Sequence, residues 1–310
     1  MIKKLILSIM LSTLAFSSEC INTNSIYNNI CKSLSKKIPV EYVNSYLSLE
    51  KSKLIDKKTI KYIHPKKRAS HSKAEVRANK SILKTVPDIN KHLIKYKDVY
   101  AIAESKYKIN KEIIAAILAK ETRLGNYKPK HSSYITSNTM ALHLPETSNK
   151  KKFQKMGVSN IKNLISFCYN NNIDVANCDF KSSYTGALGY AQFMPFNLYL
   201  VIPHNNINDL NNMETAILSI ANYMRNRVKM NWINFETIPN MFEIESKWLE
   251  FSNNNKKSSF AIGKKYKCYS CNKPELKDLR ASVKSIMKYN YSSNYALGVL
   301  LIAYSSYTSK

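Results

Sequence analysis

The segment from Asn110 to Gly125 constrains the fold more than any other part of the sequence. Ile113 and Ile117 are four residues apart, and the next step of four reaches Glu121. This spacing places the three side chains on one face of an α-helix. Asn110 predicts the N-cap of that helix and Gly125 its C-terminal stop. We therefore expect a helix whose apolar stripe ends at a carboxylate.

A carboxylate in that position has two interpretations. Burial beside the apolar stripe favours the protonated form, which keeps a proton available near neutrality for acid–base chemistry. The structural alternative is an ion pair of Glu121 with Lys120 or Arg123 at a helix end. The helix alone does not separate the two.

The composition excludes several classes of fold and function. Hydrophobic residues make up 44% of the 310 residues, so the chain can bury a core. Only six glycines are present, too few for a glycine-rich phosphate loop, a propeller or a collagen-like segment. Lys and Arg number 48 against 21 Asp and Glu, and the resulting net charge of +27 predicts an anionic partner.

The N-terminus narrows the choice of that partner. Two lysines precede the apolar run 5–16, and Ala15 and Ser17 supply the small residues of a cleavage site. The run is too short to span a bilayer, so residues 1–17 predict a secretory signal peptide rather than a membrane anchor. Glu19 stands where a small residue precedes a lipidated cysteine, which argues against an outer-membrane lipoprotein. A protein exported to the periplasm seldom meets DNA, so the positive charge favours an anionic partner other than nucleic acid.

Six cysteines in an exported protein predict disulfide bonds. Sequence proximity favours the pairs Cys20–Cys31, Cys168–Cys178 and Cys268–Cys271. The last pair has a second interpretation as half of a zinc site. The sequence contains no second CxxC, and no His lies close by, so the disulfide is favoured.

The remaining chain predicts a mostly helical protein. Residues 18–73 are polar and lysine-rich and predict an N-terminal extension with short helices. Residues 126–160 predict a loop, and residues 238–280 predict irregular or locally β structure. Apolar residues recur at helical spacing in four further segments, which are 74–107, 161–170, 213–230 and 281–304.

A second motif covers Ser183–Pro195, with the sequence Ser-Tyr-Thr-Gly-Ala-Leu-Gly-Tyr-Ala-Gln-Phe-Met-Pro. Two of the six glycines stand three residues apart in it, and Gln192 is flanked by apolar and aromatic side chains. Hydroxyl and amide groups beside apolar faces suit hydrogen bonding to a sugar and stacking on it. The structural alternative is a tight helix–helix contact with Phe193 and Met194 in an ordinary core. Both interpretations can hold at once.

Four segments in order resemble the lytic transglycosylases of the membrane-bound B type, which cleave bacterial peptidoglycan. Residues 103–125 are similar to the catalytic helix of that family, which ends in Glu-Thr-x-x-Gly. Ser183–Pro195 is similar to its Ser-x-x-Gly-Ala-x-Gly-x-x-Gln-Phe-Met-Pro motif. Ile220–Tyr223 resembles its Ala-Asn-Tyr helix, and Lys288–Gly298 its Tyr-Asn-x-Ser-x-x-Tyr-Ala motif. The matches lie within about 74–304.

The resemblance implies a lysozyme-like, mainly α-helical (α+β) fold, with a helical core around a substrate cleft and a small irregular or β insertion. It implies that Glu121 is the sole catalytic acid and base. It assigns the lining of the sugar cleft to Ser183, Gln192, Phe193, Tyr223, Tyr289, Asn290 and Tyr295. The implied division is a signal peptide at 1–17, an extension at 18–73, a catalytic domain at 74–304 with the insertion 238–280, and a tail at 305–310.

The sequence departs from the family pattern in two places. The family's Tyr-Pro-Arg-Arg stretch after the catalytic helix is replaced by Leu144–Lys152. Some members carry a calcium loop before the Ala-Asn-Tyr helix, and here Pro203–Leu210 has too few carboxylates for one. We therefore expect no calcium, no other metal and no cofactor.

The implied reaction cleaves the β-1,4 bond between MurNAc and GlcNAc and forms 1,6-anhydroMurNAc ends. Peptidoglycan glycan strands are then the partner, and the carboxylates of their stem peptides match the basic surface. Other cell-wall or secretion machinery are further candidate partners, and we expect a monomer that binds no nucleic acid. Two other classes stay open: a lysozyme-like hydrolase, and a non-catalytic wall-binding or secretion-assembly protein.

Overall fold

The computed structural model describes residues 19–67, 81–205, 209–238 and 277–309. Its α-helices are, in chain order, α1 Ser25–Leu34, α2 Val40–Leu47, α3 Lys57–Ile63, α4 Val86–Lys95, α5 Lys97–Tyr107, α6 Lys111–Thr122, α7 Ser133–Leu142, α8 Lys150–Asn170, α9 Met213–Asn222, α10 Lys277–Tyr289 and α11 Ser293–Thr308. The mainly helical fold is as predicted.

Short elements connect the helices. Strand β1 (His131–Ser132) pairs antiparallel with β2 (Lys181–Ser182), with His131 opposite Ser182. A 3₁₀ turn at Pro195–Leu200 follows the glycine motif, and a π-helical turn at Tyr223–Arg227 extends α9. Further 3₁₀ turns lie at Glu50–Lys53, Ile82–Thr85, Val175–Asn177 and Phe235–Thr237.

Helix α6 lies inside the largest hydrophobic core of the described residues, which we call the first core. The side chains of residues 113–118 have no exposed surface. Helices α4, α5, α9 and α11 all contact α6. The sequence predicted an apolar stripe, whereas the helix is buried on all sides, because Ala115 and Ala116 allow neighbouring helices to approach closely.

The start of α6 differs from the prediction in one respect. Asn110 occupies the N-cap position, but its side chain caps no amide of the helix. Its Nδ2 donates to the carbonyl oxygen of Ile233 at 2.9 Å, and its Oδ1 accepts from the amide of Ile233 at 2.9 Å. The paired bonds fasten α6 to the segment that follows the π-helical turn.

A second core joins α1 and α2 to α7 and α8. The disulfides Cys20–Cys31 and Cys168–Cys178 lie in it, and both pairings are as predicted. Cys268 and Cys271 lie outside the described residues. The N-terminal helices therefore share a core with residues 134–198, although the sequence predicted an extension. The division into domains stays a prediction.

The prediction of a loop over residues 126–160 is wrong. Strand β1, helix α7 and the first turns of α8 occupy it. Eight of the ten residues of α7 are buried, and most of them are small and polar, so no apolar periodicity marks the helix. Gly157 brings α8 against α7, since an added Cβ would lie 2.5 Å from the amide nitrogen of Ala141 and 2.7 Å from the carbonyl oxygen of Ser137.

Two predicted segments lie largely or wholly outside the described residues. They are the signal peptide at 1–17 and most of the irregular insertion at 238–280, of whose residues 277–280 are helical. The helix predicted over 281–304 is two helices, α10 and α11, separated at Asn290–Ser292. Over the described ranges, no helix has the length and apolar character needed to cross a membrane.

Candidate active site

Glu121 is the penultimate residue of α6, where the buried helix reaches the surface. Residues 113–118 have no exposed surface, whereas Glu121 is partly exposed. The helix ends at Thr122 because Arg123, Leu124 and Gly125 have φ values of 51°, 56° and 87°. Non-glycine residues in this left-handed region cost free energy, and such conformations cluster at functional sites. The abrupt end leaves the carboxylate at the edge of the first core.

Tyr295 holds the Glu121 carboxylate. Its Oη donates a hydrogen bond to Oε1 of Glu121 at 2.6 Å. Tyr295 is 2% exposed and lies in α11, where its own amide donates to the Oγ of the N-cap residue Ser292. The ammonium group of Lys120 lies 5.5 Å from the centre of the Tyr295 ring. A buried donor on a rigid helix therefore orients the carboxylate.

Three predicted cleft residues form an aromatic cluster. The ring centre of Phe193 lies 5.4 Å from that of Tyr223 and 6.1 Å from that of Tyr289, and the two tyrosines lie 4.9 Å apart, edge to face. Tyr223 donates to the carbonyl oxygen of Lys288 at 3.0 Å, and Tyr289 donates to that of Ala191. Packing and hydrogen bonds thus fix all three rings.

The two phenols are hydrogen-bond donors at neutral pH. Burial raises the pKa of Tyr289 well above its usual value, and the Glu121 carboxylate raises it further. Burial also raises the pKa of Tyr223. Both groups therefore stay protonated, so neither acts as a base.

A cleft of about 640 Å³ opens beside the aromatic cluster. This volume lies within the usual range for ligand pockets, roughly 300–1,000 Å³. The aromatic cluster and the Gln192 amide line the cleft, together with two cationic residues, Arg227 and Lys288. Ring faces, an amide and cations suit a sugar that carries an anionic group.

Two predicted polar residues hydrogen-bond within their own turns. The Oγ of Ser183 accepts from the amides of Ala187 at 3.1 Å and Thr185 at 3.4 Å. Gln192 has a φ of 49°, and its Nε2 donates to the carbonyl oxygen of Gly189 at 2.8 Å. Gln192 nevertheless lines the cleft.

Asn290 lies in the exposed turn between α10 and α11, and its carbonyl oxygen accepts from the amide of Ser292 at 2.7 Å. The family resemblance assigns Ser183 and Asn290 to sugar binding, and both assignments stay predictions. Of the other predicted residues, Glu121 and Tyr295 are hydrogen-bonded to each other at the end of α6. The cleft brings together Gln192, Phe193, Tyr223 and Tyr289.

Hydrogen bonds that no sequence pattern predicted hold the glycine motif against α6. The hydroxyl of Thr122 donates to the carbonyl oxygen of Tyr190 at 3.2 Å, and the amide of Tyr190 donates to that of Leu210 at 3.0 Å. At Gly189, with φ of 64°, an added Cβ would lie 2.1 Å from the Leu210 oxygen. At Gly189 the close contact is therefore made with a loop, whereas at Gly186 an added Cβ would lie 2.7 Å from the Nδ2 of Asn160 in α8.

No group of three or more His, Cys, Asp or Glu side chains that could hold a metal occurs in the part of the chain that the structure describes. Residues 206–208, inside the loop compared with the calcium loop, lie outside that part. The expectation of no calcium and no other metal stays a prediction.

Comparisons with known proteins agree with this geometry. A family model described as "Transglycosylase SLT domain" matches residues 31–304. No curated protein matched the sequence. The Escherichia coli lytic transglycosylase Slt35, solved with bulgecin A, is 17% identical with a TM-score of 0.61, over 94% of this chain and 96% of that chain.

Two proteins of Pseudomonas aeruginosa are also similar. SltB3, in complex with NAG-anhNAM-pentapeptide, is 12% identical with a TM-score of 0.58, over 89% of this chain and 77% of that chain. The catenated lytic transglycosylase SltB1 is 14% identical with a TM-score of 0.57, over 92% and 98%. At these identities the structural likenesses establish the fold.

The family match extends over most of the chain, from the first disulfide to the last turns of α11. The predicted lysozyme-like fold of a transglycosylase is confirmed. The narrower assignment to the membrane-bound B type stays a prediction. The chain belongs to the family of transglycosylase SLT domains.

Proposed function

We propose that this protein is a peptidoglycan lytic transglycosylase of the periplasm in which Glu121 is the single catalytic acid and base. The observation that carries the proposal is the 2.6 Å hydrogen bond from the buried Tyr295 to a carboxylate at the exposed end of a buried helix. Catalytic carboxylates need a fixed position, and the hydrogen bond from Tyr295 supplies it.

The first step breaks the glycosidic bond. Glu121 donates its proton to the oxygen that leaves with GlcNAc, and the N-acetyl group of MurNAc stabilises the cation that develops at C1. Most glycosidases use two carboxylates, and substrate assistance replaces the second one in the known exceptions. The matched motifs supply one carboxylate, so the substrate provides the second group.

The second step closes the sugar ring. Glu121, now ionised, takes the proton of the O6 hydroxyl of MurNAc while O6 bonds to C1. The 1,6-anhydro ring forms and Glu121 regains its proton, so no water is consumed. Tyr295 is a positioning residue in both steps, because its hydroxyl restrains Oε1 of Glu121.

The cleft fits a muramyl sugar. The aromatic cluster presents ring faces, and Gln192 presents an amide to hydroxyl or N-acetyl groups. Arg227 and Lys288 line the same cleft and complement the carboxylates of the lactyl group and the stem peptide. The net charge of +27 acts in the same direction over a longer range.

Product analysis tests the proposed function. Purified protein is incubated with isolated sacculi, and the released muropeptides are analysed by mass spectrometry before and after borohydride reduction. The proposal expects anhydromuropeptides, which are one water lighter than hydrolytic products and resist reduction. Reducible ends would identify a lysozyme-like hydrolase, and no release by folded protein would identify a non-catalytic wall-binding protein.

A further inference from the structure

A second pocket lies on the other side of the Pro195–Leu200 turn from the cleft. Its volume is about 400 Å³, and it is formed by the C-terminal half of α8 and the turn itself. Phe196 and Asn197 of the turn line the cleft, whereas Leu198 and Tyr199 line the second pocket. One short turn therefore forms a wall shared by both cavities.

Half of the residues that line the second pocket carry an amide or a hydroxyl, and the other half are apolar. We call it the amide pocket and define it by Asn163, Ser166, Asn170, Asn171 and Tyr199. The Nδ2 of Asn163 donates to the carbonyl oxygen of Ser159 at 2.8 Å, which leaves its Oδ1 as the acceptor. The Tyr199 side chain is 69% exposed although it belongs to a well-packed turn. An exposed ring beside amides is the arrangement that suits a sugar.

The amide pocket differs in charge from the rest of this basic molecule. The chain contains 48 Lys and Arg, and two of these cations line the cleft. Among the residues that the structure describes, no charged side chain lines the amide pocket. A site for the carboxylates of a stem peptide would be served by cations. A neutral lining of amides matches a neutral ligand whose own amide donates and accepts hydrogen bonds.

Tyr199 connects the two cavities. It belongs to the same 3₁₀ turn as Phe196 and Asn197, which line the cleft. A ligand on the exposed Tyr199 ring is therefore adjacent to a ligand in the cleft.

We infer that the amide pocket is a second, non-catalytic binding site for a neutral N-acetylated sugar of a glycan strand. The inference rests on the proposed function, because that function supplies a polymer with such sugars. Binding at the amide pocket would hold a strand on the enzyme while the cleft acts on a neighbouring unit or strand.

Side-chain amide resonances test the inference directly. Triacetylchitotriose, a neutral oligomer of N-acetylglucosamine, is titrated into the ¹⁵N-labelled, disulfide-bonded protein. We expect the side-chain NH₂ signals of Asn163, Asn170 and Asn171 to shift with a saturable dependence. Tyr199→Ala, which removes the ring, should weaken this binding by about tenfold. Ser166→Trp, which fills the pocket, should abolish it.

A matched control separates blocking from unfolding. Lys151→Trp adds the same side chain to an exposed residue in the first turn of α8 and should leave the three signals and their shifts unchanged. Unshifted signals in the wild type would overturn the inference, as would shifts that persist in Ser166→Trp. Shifts caused only by an anionic stem tetrapeptide would also overturn it. Failure of the proposed function has a different readout, the absence of anhydromuropeptides from sacculi.

Discussion

Helices α6 and α7 are both buried, but different physical means bury them. In α6, isoleucine, leucine and alanine from residue 113 to 118 have no exposed surface. In α7 the buried residues include two serines, two threonines and an asparagine. Apolar volume excludes water from α6, whereas close approach of α8 at Gly157 excludes it from α7.

Hydrogen bonds replace apolar contacts around α7. Tyr27 of α1 donates to the Oδ1 of Asn138, and the amide of Asp56 donates to the Oγ1 of Thr139 at 2.9 Å. These bonds satisfy part of the polar face of α7, whereas Thr136 Oγ1, Ser137 Oγ and Asn138 Nδ2 are buried without a hydrogen-bond partner among the described residues. Removing side-chain volume should therefore destabilise the packing of α6. Adding side-chain volume should destabilise the packing of α7 against α8.

The largest predicted loss of stability comes from removing side-chain volume from α6 itself. Ile117→Ala leaves a cavity in the first core and should lower the free energy of unfolding by about 2–5 kcal/mol. Chemical denaturation followed by circular dichroism measures the loss. The matched control, Ile102→Ala, changes a side chain that is 45% exposed and should cost less than ~1 kcal/mol. Equal losses would mean that burial does not distinguish the two positions.

Adding volume next to α7 should also destabilise the protein. Gly157→Ala would place a Cβ against backbone atoms of α7, and overpacking of this kind typically costs about 1–3 kcal/mol. Helix propensity alone predicts the opposite sign, a gain of about 1 kcal/mol from Gly to Ala. The same denaturation assay decides between them, with exposed Lys155→Ala as the control on α8. A more stable Gly157→Ala protein would disprove the close contact.

The hydrogen bond that fixes the end of α6 should affect turnover more than binding. Tyr295→Phe keeps the buried ring but removes the donor to Glu121. We expect kcat on soluble glycan fragments to fall about tenfold, or ~1.4 kcal/mol, with little change in KM. Tyr304→Phe on the same helix is the matched control and should retain wild-type kinetics. A change confined to KM would assign Tyr295 to substrate binding instead.

The smallest predicted effect depends on pH and concerns Asp56, whose amide donates to Thr139 of α7. Burial raises the pKa of Asp56, but hydrogen bonds from His131 and Thr59 outweigh it, and the net pKa lies below the ordinary 3.8. Ionised Asp56 therefore stabilises the fold above pH 3.8, and this contribution is lost as the pH falls through the lowered pKa.

Unfolding of wild type and Asp56→Asn over a pH series measures this contribution. We expect the wild type to be the more stable protein at pH 6 and the difference to shrink as the pH falls below 4. A difference that grows on acidification would have the wrong sign for a lowered pKa.

The sequence predicted what apolar pattern and composition encode. It predicted α6, Glu121 at its end, two disulfides and a mainly helical fold, because each has a local signature. It did not predict α7, since small polar residues carry no periodicity. Nor could it predict that Asn110 binds Ile233, or how Tyr295 contacts Glu121 from a position 174 residues away. Those contacts depend on how the helices pack, which local patterns do not specify.

The glycine motif is a feature that the sequence predicted only in part. Its two glycines predicted a close approach, and the structure has one at each glycine, with Asn160 of α8 at Gly186 and with Leu210 at Gly189. Leu210 lies in a segment that the sequence associated with a metal loop in relatives. Composition therefore identified the position that needs glycine but gave no information about the atoms that approach it.

The most direct test of the central claim compares Glu121→Gln with wild type for anhydromuropeptide release and thermal melting. Glutamine keeps the shape and can still accept the Tyr295 hydrogen bond, but it neither donates nor takes up the proton. Release should fall by about 10²–10⁴-fold with the melting temperature unchanged, while Glu104→Gln on α5, the matched control, should keep wild-type release. A well-folded Glu121→Gln protein with near-normal release would contradict the assignment of Glu121.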